Sequence, residues 1–455
     1  MNAIGGLPNH NRIMVDILEQ VKQDNVKFVQ LQFIDILGVI KSLTIPVGQL
    51  EGSLADGTWF DGSSIEGFTR IHESDMFLKP DVDTYAVIPW LSTEYGNTAR
   101  FICDVCTPDN EPFEGDPRYI LKKAMAEAKE MGYEFNIGPE LEFFLFKKEN
   151  GHLEALPHDT AGYFDLTTDD AIIIRSEMHE ALSAFGIYVE ALHHEVAEGQ
   201  HEIDFRYDNA LTTADNAVTL RFVIKAVAQK HGLHATFIPK PISGISGSGM
   251  HTHMSLFSTE TGDNVFFDEN AEYMLSDVAK QFIAGVLANI HGICAVTNPT
   301  VNSYKRLVPG YEAPVYLSWA RINRSALIRI PRYSKGKSKA TRCELRCPDP
   351  TCNPYLAFAL MLKSGLAGVK AGLTPPDPVE EDLYHFTEAD LAEKHIGTLP
   401  STLAEAIESM KGSKLAKEGL GDHTFKKYLE AKQAEWDAFR LSVSQWELDT
   451  YMEVY

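Results

Sequence analysis

Cysteine is scarce in this sequence, which leaves little material for a metal-binding framework of thiols. The 455 residues include six cysteines. Cys103 and Cys106 form an isolated CxxC pair, and the cysteines at 343, 347 and 352 lack histidines at zinc-site spacing. We predict reduced thiols in the hydrophobic core and keep a zinc site as the weaker alternative.

Long apolar runs and a basic leader are also missing. The longest apolar stretch, residues 282–296, is interrupted by Asn289 and His291 and is too short to cross a bilayer. Residues 1–11 contain no basic segment followed by an apolar run, so no secretory signal is predicted. We therefore expect a cytoplasmic protein that has no membrane partner.

Positive charge is in short supply. The chain has 41 Lys+Arg against 64 Asp+Glu, a formal net charge of −23. Because each phosphate contact requires a cation, this balance disfavours nucleic acid and anionic membrane surfaces as partners. It also means that an anionic substrate needs a pocket that is locally basic or filled by a metal ion.

The overall composition is that of a folded protein, and the sequence pattern divides the chain into two regions. At 44% hydrophobic and 23% charged residues, the chain has ample core, and disorder as its main feature is excluded. Residues 27–106 read as short strands and loops. At Asp116-Pro117 the pattern changes to a helix that should run to Met131 and stop at Gly132. We place a domain boundary near residue 115.

Strands alternate with long helices after that boundary. Capping residues and glycines predict one helix that opens at 167–170 and ends at Gly186. They predict another that opens at Thr212 or Thr213 and stops near Gly232. Further helices are predicted over 271–291, 354–371 and 424–453.

Several strand-like segments carry charged side chains where a buried strand would be apolar. Glu140 and Glu142 lie two residues apart, and because strand side chains repeat every two residues, both carboxylates face one side. Similar segments contain Glu202 and Asp204; His251, His253 and Ser255; and Arg342, Glu344 and Arg346, while Glu195 follows His193-His194 near a strand end.

A single segment of this kind is best interpreted as a strand with one solvated face, but five in one chain favour a binding site. Carboxylates at this density resist ionising together unless cations lie among them. An oxygen-rich set with one imidazole suits Mg²⁺ or Mn²⁺ and not zinc, and it divides into three ligands for each of two ions. The candidate ligands are Glu140, Glu142, Glu195, Glu202, His251 and Glu344.

Arginines between residues 306 and 346 supply the complementary charge. Any one of them is most simply a surface residue, but guanidinium groups bind phosphate and carboxylate through a planar fork. Enzymes that transfer phosphoryl groups use divalent ions and arginines to position the phosphates and neutralise their charge. Residues 336–338 and 247–249 match the usual nucleotide motifs too weakly to count. The candidates are Arg306, Arg324, Arg329, Arg342 and Arg346.

Longer motifs make the sequence resemble the glutamine synthetase family, in its prokaryotic type I class. The resemblance runs nearly end to end. It rests on FDGSSI at 60–65, GPELEFF at 138–144, HHE at 193–195, QHE at 200–202, GMHTH at 249–253 and NSYKRLVPGYEAP at 302–314. The short interval between Glu142 and Glu195 lacks the insertion of adenylylated members, so the chain resembles the feedback-responsive subgroup that is not adenylylated.

The resemblance implies an α+β fold of two domains. Residues 1–115 would form a small β-grasp domain, and residues 116–455 a large catalytic domain in which helices surround a half-barrel antiparallel sheet. It implies a dodecamer of two stacked hexameric rings, in which each β-grasp domain completes the neighbouring subunit's site. The implied reaction uses ATP and two or more Mg²⁺ or Mn²⁺ ions per subunit to join ammonium to the γ-carboxylate of glutamate through γ-glutamyl phosphate.

Matching motifs imply a role for each candidate. The tighter metal would be held by Glu142, Glu195 and Glu202, and the second metal, on the ATP phosphates, by Glu140, His251 and Glu344. Asp61, with Ser64 beside it, matches the base that takes a proton from ammonium, and Glu312 matches the acid of the loop that closes the site. The resemblance assigns ATP contacts to His253, Ser255, Arg329 and Arg342, and substrate contacts to Tyr163, Gly247, Arg306, Arg324 and Arg346, with Arg324 also clamping the transferred phosphoryl group.

Regulation and two other functions stay open at this point. Arg70 resembles an arginine that takes part in feedback regulation, and a surface salt bridge is an equal alternative. A related γ-glutamyl-amine ligase is disfavoured because Asp61 and Tyr163 suit a small cationic ammonium pocket. A metabolite sensor that binds a regulatory protein would be indicated by missing ligands, and none is missing. Small regulatory proteins are possible partners of the enzyme itself.

Overall fold

The first sheet forms where apolar and polar residues alternate. The structure, a computed structural model, describes residues 10–63, 65, 67, 75–149, 152–309, 313–333 and 336–455. Val29, Leu31 and Phe33 are buried at alternate positions, as a strand with one covered face requires. The elements are α1 (His10–Gln23), β1 (Val26–Ile34), β2 (Ile40–Pro46), α2 (Leu50–Asp56), β3 (Thr58–Asp61), β4 (Asp75–Pro80), β5 (Ala86–Val87) and β6 (Asn97–Cys106).

The strands of this N-terminal sheet are ordered β2-β1-β6-β4-β3, with β5 also on β6. Strands β1 and β6 run parallel, and the other pairs run antiparallel. All six cysteines of the chain are free and buried, which confirms the prediction of core thiols. No cysteine belongs to a metal-compatible group within the described parts of the chain, so the zinc alternative finds no support.

Helix α3 (Pro117–Glu130) begins and ends where its sequence predicts. The Asp116 carboxylate accepts a hydrogen bond from the Arg118 backbone N–H at 3.0 Å, and Pro117 occupies the first turn. Gly132 then adopts a φ of +85°, a left-handed conformation that favours glycine over residues with a Cβ atom.

A larger mixed sheet follows, and its central strand β7 carries the first carboxylate pair. The strands are ordered β14-β15-β16-β13-β7-β10-β9, with β8, β11 and β12 also paired to β7, and helices pack around this curled half-barrel. The elements are β7 (Tyr133–Glu149), β8 (His152–Pro157), α4 (Ile172–Ala184), β9 (Val189–His194), β10 (Gln200–Phe205), β11 (Asp208–Asn209), α5 (Ala210–Lys230), β12 (Leu233–Thr236), β13 (Thr252–Ser258), α6 (Asp277–Thr297), α7 (Ser303–Arg306), β14 (Tyr316–Ala320), β15 (Ala326–Arg329), β16 (Cys343–Leu345), α8 (Pro354–Ala371), α9 (Glu388–Glu393), α10 (Leu403–Lys411), α11 (Lys414–Leu441) and α12 (Gln445–Tyr451).

Several predicted helix boundaries were wrong because the wrong residue was taken as the cap. Helix α5 is capped by Asn209, whose side chain accepts from the N–H groups of Leu211 and Thr212, so it begins before the predicted threonines. Ser276 caps α6, which shifts that helix about six residues along the chain from its predicted range. The predicted helix over 424–453 is the end of α11 followed by α12, which begins after a capping box on Ser444.

Helix α4 also begins later than predicted, at Ile172, because the Asp169 side chain forms other contacts and does not cap the helix. Its carboxylate accepts from the Ala171 N–H and forms a buried ion pair with Arg175. Helix α8 has the predicted bounds, with Asn353 as its cap.

Helices α6 and α8 form the centre of the hydrophobic core. They approach so closely that a Cβ atom on Gly285 would lie 2.3 Å from the Ser364 carbonyl oxygen. By length and composition alone α6 could cross a membrane, but most of its residues are buried inside the molecule. Its apolar character is that of a core helix.

Arg118 connects the N-terminal sheet to the larger region. Its buried guanidinium contacts Asp81 and Asp104 at 2.6 Å and Asp215 of α5 at 2.9 Å. The Tyr355 hydroxyl of α8 also donates to Asp215, at 2.6 Å. Removing Arg118 would leave the three carboxylates of Asp81, Asp104 and Asp215 without their shared partner. Because these carboxylates lie on both regions, we expect the network to fix how the two regions meet.

Candidate active site

Strand register brings the predicted carboxylates together on one face of the large sheet. In the β7–β10 pair, Glu142 lies opposite Glu202 and Glu140 lies opposite Asp204. In the β13–β16 and β15–β16 pairs, Glu344 lies opposite His253 and Arg329. Directly opposed residues share a face of the sheet, so these side chains converge as the sequence alternation predicts.

The first group of side chains, the Glu344 cluster, consists of Glu140, His251, His253 and Glu344. The fully buried Glu344 carboxylate contacts Arg329 Nε and Arg346 Nη1, each at 2.6 Å. Glu140 lies 3.1 Å from His251 Nδ1 and 2.7 Å from His253 Nε2.

These contacts outweigh the effect of burial on both carboxylates. Burial alone would raise the pKa of Glu140, but hydrogen bonds from His251 and His253 hold that pKa below its ordinary value. Burial likewise acts to raise the pKa of Glu344, and the neighbouring His253 and Arg346 side chains lower it instead. Both carboxylates are therefore ionised without any ion bound.

The second group, the Glu142 cluster, consists of Glu142, His193, Glu195 and Glu202. Glu142 Oε2 accepts hydrogen bonds from Gln200 Nε2 and the Gly249 N–H, both at 2.9 Å. His193 Nε2 lies 3.3 Å from Glu202.

Burial dominates the ionisation of this second group. It raises the pKa of Glu142, and the charge of Glu195 raises it further. Burial followed by the charge of Glu142 also raises the pKa of Glu202. Their ionised forms are therefore unstable unless a cation is added.

Two compact groups of potential metal ligands lie inside these clusters. In each group one ligand atom per residue lies within 4.8 Å of the others; the groups are Glu140, His253 and Glu344, and His193, Glu195 and Glu202. They differ from the predicted sets, which contain His251 in place of His253 and Glu142 in place of His193. Carboxylate oxygens dominate both, which fits Mg²⁺ or Mn²⁺.

Hydrogen bonding distinguishes the two histidines of the Glu344 cluster. Arg342 Nε donates to His253 Nδ1 at 3.1 Å, so the His253 proton is on Nε2 and faces Glu140. Burial and then the charge of Arg346 lower the pKa of His251 to about 4, which leaves a neutral imidazole, the form that binds metals.

Glu140 lines two neighbouring cavities. One, of about 360 Å³, is lined by apolar side chains such as Phe205 and Met254 and by the predicted ATP contacts His253, Ser255 and Arg342. The other, of about 370 Å³, is strongly polar. Among its lining residues are Glu142, Tyr163, Glu195, Glu202, Gly247, His251, Arg306, Arg324, Arg329 and Arg346.

Two glycines let the backbone come close to this polar cavity. A Cβ atom on Gly247 would lie 2.1 Å from the Pro239 carbonyl oxygen, and one on Gly249 would lie 2.5 Å from Arg306 Nη2. The buried Arg306 guanidinium is itself fixed by the carbonyl oxygens of Cys347 and Arg346, at 2.7 and 3.2 Å.

Some predicted residues lie elsewhere. Asp61 is at the end of β3 in the N-terminal sheet, and neither cavity includes it among the described residues that line them. Its carboxylate accepts from the Ser63 N–H at 2.8 Å, and hydrogen bonds from Ser63 lower its pKa. Ser64, Arg70 and Glu312 lie outside the described residues.

Several residues at the site received no role from the sequence. His193, which belongs to a group of potential metal ligands, and Asp204, which lines the less polar cavity, both stand in the charged segments noted in the sequence, but neither was predicted as a ligand. Glu190, Tyr207 and Lys339 line the less polar cavity but belong to no periodic or motif pattern that we recognised.

Comparisons with known proteins show the family to which the chain belongs. The family model "Glutamine synthetase, catalytic domain" matches residues 114–451, and "Glutamine synthetase, beta-Grasp domain" matches residues 25–108. The chain is 54% identical to a glutamine synthetase of Clostridium saccharobutylicum, over 97% of this chain and 98% of that protein. It is 52% identical to one of Thermus thermophilus, over 97% and 99%.

Solved structures show the same fold. A cryo-EM structure of Plasmodium falciparum glutamine synthetase has a TM-score of 0.87 at 25% identity, covering 99% of this chain and 100% of that one. A structure described as "GmaS/ADP complex-Conformation 1" has a TM-score of 0.85 at 30% identity, covering 96% and 99%.

The fold and site define an ATP-dependent ligase that forms a carbon–nitrogen bond. The chain belongs to the glutamine synthetase family, and it joins ammonia to glutamate at the expense of ATP. The α+β fold with a β-grasp domain and a half-barrel catalytic sheet, expected from the resemblance, is confirmed.

Proposed function

We propose that glutamine forms here through γ-glutamyl phosphate, with ATP in the less polar cavity and glutamate and ammonium in the polar one. The observation that carries the proposal is that Glu140 lines both cavities, which places them side by side. A phosphoryl group can then pass between the substrates without leaving the site. The description of the GmaS structure names an ADP complex, which supports nucleotide binding by this fold.

The carboxylate clusters fit two divalent cations, Mg²⁺ or Mn²⁺. Glu142, Glu195 and Glu202 would hold the tighter one. Glu140, Glu344 and the neutral His251 would hold the second, because His251 keeps an unprotonated Nε2 when its Nδ1 donates to Glu140, whereas both ring nitrogens of His253 are engaged by Arg342 and Glu140. When bound, such ions neutralise charge on the phosphates and on the attacked carboxylate.

The arginines keep the anionic substrates in place. Arg306 and Arg346 would bind glutamate, Arg324 would clamp the substrate and the transferred phosphoryl group, and Arg329 and Arg342 would bind ATP phosphates. A guanidinium group stays charged at all working pH values, which suits groups whose negative charge moves during reaction. Ser255 and His253 contribute further ATP contacts, and Gly247 leaves room for glutamate.

Ammonium must lose a proton before it can attack. Tyr163 lies beside Glu195 and Glu202 in the polar cavity, and burial, followed by the charge of Glu195, raises its pKa, so it stays a neutral hydroxyl. We assign the base to Asp61, with Ser64 beside it, delivered by the N-terminal domain of a neighbouring subunit. Glu312 would close the site and keep water from the acyl phosphate.

This arrangement requires an oligomer. We propose a dodecamer of two hexameric rings in the cytoplasm, with a domain boundary near residue 115 and with Arg70 as a regulatory residue. The oligomer is supported by the position of Asp61, which lines neither cavity of its own chain. The domain boundary is supported by the gap between the two family-model matches, at residues 109–113.

The test is an assay of the purified protein with Mg²⁺, ATP, glutamate and ammonium, together with the mass of the assembly. We expect glutamine and ADP in equal amounts, with ammonium preferred over methylamine. ADP release without glutamine would contradict the proposal. A preference for methylamine would show that the amine ligase is the correct function. Asp61→Asn is expected to abolish turnover, and mixing it with Glu202→Gln should restore part of it if neighbouring subunits share sites.

A further inference from the structure

A second set of polar side chains lies buried behind the Glu142 cluster. Because strand side chains alternate, His194 and His201 point away from the cavity while their neighbours Glu195 and Glu202 point into it. The two histidines are opposed in the β9–β10 register, with ring centroids 4.7 Å apart. Both are almost completely buried, as is Asp159 beside them.

Asp159 uses both carboxylate oxygens to connect three segments of chain. Oδ1 accepts from His194 Nε2 at 3.0 Å and from the Gly199 N–H at 3.1 Å. Oδ2 accepts from the Asp170 N–H at 3.3 Å and lies 3.1 Å from His158 Nε2. Asp159 thus accepts three hydrogen bonds, and the His158 contact is a short N···O distance without hydrogen-bond geometry.

The three segments are those that carry the proposed metal and ammonium ligands. His194 is adjacent to Glu195 at the end of β9, and Gly199 lies in the turn that leads to Glu202. Asp170 lies near the end of the loop 158–171, which contains Tyr163. That loop also reaches β9 directly, because the Phe164 N–H donates to the His194 carbonyl oxygen at 3.3 Å.

His158, Asp159 and His201 have ligand atoms close enough to hold a metal ion, but hydrogen bonding argues against one. Arg175 Nη1 lies 2.9 Å from His201 Nδ1, and an arginine can only donate. The His201 proton is therefore on Nε2, the atom that a metal would need. The guanidinium of Arg175 would also repel a cation, so we do not interpret these three residues as a metal site.

We propose that Asp159 is a positioning residue that holds Glu195, Glu202 and the Tyr163 loop in one arrangement, and so sets affinity for the metal and for ammonium. The inference rests on the proposed function, because it takes the Glu142 cluster as the tighter metal site. It predicts that loss of Asp159 weakens this half of the site and leaves the ATP half intact.

The test is Asp159→Asn in the full-length enzyme. An amide has one acceptor oxygen, so the variant cannot hold all three segments. We expect Mn²⁺ to bind about tenfold or more weakly without substrates, as for other residues that orient metal ligands. We also expect KM for ammonium to rise severalfold while KM for ATP changes less than twofold.

Asp116→Asn is the matched control. Asp116 is also a buried aspartate whose carboxylate joins two backbone segments, at Val105 and Arg118, but it lies at the start of α3 and lines neither cavity. We expect it to lower the melting temperature without weakening Mn²⁺ binding. Equal weakening in both variants would overturn the inference, since the effect would then be one of stability.

The Glu202→Gln variant tests the proposed metal site independently of the positioning role of Asp159. If Glu202→Gln loses tight Mn²⁺ binding and Asp159→Asn does not, the positioning role is wrong and the metal site stands. If neither variant changes Mn²⁺ binding, the proposed ligand set itself is wrong. Should Asp159→Asn fail to fold, His194→Phe removes one of its contacts and is expected to weaken Mn²⁺ binding in the same way; wild-type affinity in that variant would overturn the inference.

Discussion

Glu344 and Glu142 are both buried glutamates on the same sheet, yet the protein surrounds them differently. Glu344 contacts two guanidinium groups, and its pKa is lowered. Glu142 accepts from two amide N–H groups, and its pKa is raised. The Glu344 cluster is thus neutralised by the protein itself, whereas the Glu142 cluster needs an added cation to be fully ionised.

This difference changes how the acidity of the whole chain is understood. A net charge of −23 suggests a protein that repels anions. Around Glu344, however, arginines already balance the carboxylates, and around Glu142 a divalent cation would do so. The net charge of the whole chain therefore does not describe the charge inside the site.

The largest effect is expected from Glu344→Gln. This change leaves Arg329 and Arg346 without their shared carboxylate, and breaking a buried pair costs about 3–5 kcal/mol. We expect the free energy of unfolding of the metal-free protein to fall by that amount, measured by denaturant titration. An unchanged value would show that the Glu344 cluster is not neutralised by its arginines.

Glu202→Gln should behave in the opposite way. The raised pKa means that this carboxyl already carries a proton near neutral pH, which an amide imitates, so metal-free stability should change little. The stabilisation by saturating Mn²⁺, about 3 kcal/mol at a hundredfold excess over Kd, should be lost. Calorimetry with and without Mn²⁺ measures both; a strong loss of metal-free stability would remove the contrast between the clusters.

Metal affinity should rise with pH. In the metal-free protein, burial raises the pKa of Glu142, so below that pKa the ion must displace a proton. Affinity for Mn²⁺ should therefore increase about tenfold per pH unit for each proton displaced, and level off only above the raised pKa values of both Glu142 and Glu202. Titrations of Mn²⁺ in buffers of increasing pH test this, and a flat profile at and below neutral pH would contradict the raised pKa.

The smallest effect is expected from Arg342→Lys. Lysine keeps the charge but loses the planar Nε donor to His253, a hydrogen bond worth about 1 kcal/mol. KM for ATP should rise about fivefold, while Mn²⁺ binding to the Glu142 cluster stays as in the wild type. A weaker Mn²⁺ affinity in this variant would mean that the two clusters are not independent.

Much of the site was predictable because it depends on strand periodicity. Side chains at i and i+2 must share a face, so Glu140 with Glu142, and Arg342 with Glu344 and Arg346, could be placed together from the sequence. Helix ends with a single strong cap, such as Asp116 and the Asn353 before α8, were also predictable.

The remainder depends on contacts between distant segments. Asn209, rather than Thr212 or Thr213, caps α5 because its side chain accepts from two backbone N–H groups at the start of that helix. The sequence has several polar residues near this position and does not show which of them reaches those N–H groups. The role of Asp159 was invisible, since it arises from three segments that come together only in the fold. The choice between His251 and His253 likewise depends on a hydrogen bond from Arg342, 89 positions away.

The contrast between the two clusters can be measured directly by anomalous diffraction from crystals of the substrate-free protein soaked in increasing Mn²⁺. We predict that the first Mn²⁺ peak appears among Glu142, Glu195 and Glu202, with the site at Glu140, His251 and Glu344 filling only at higher concentration. A first peak at Glu344, or no peak between Glu142 and Glu202 at saturation, would contradict this account.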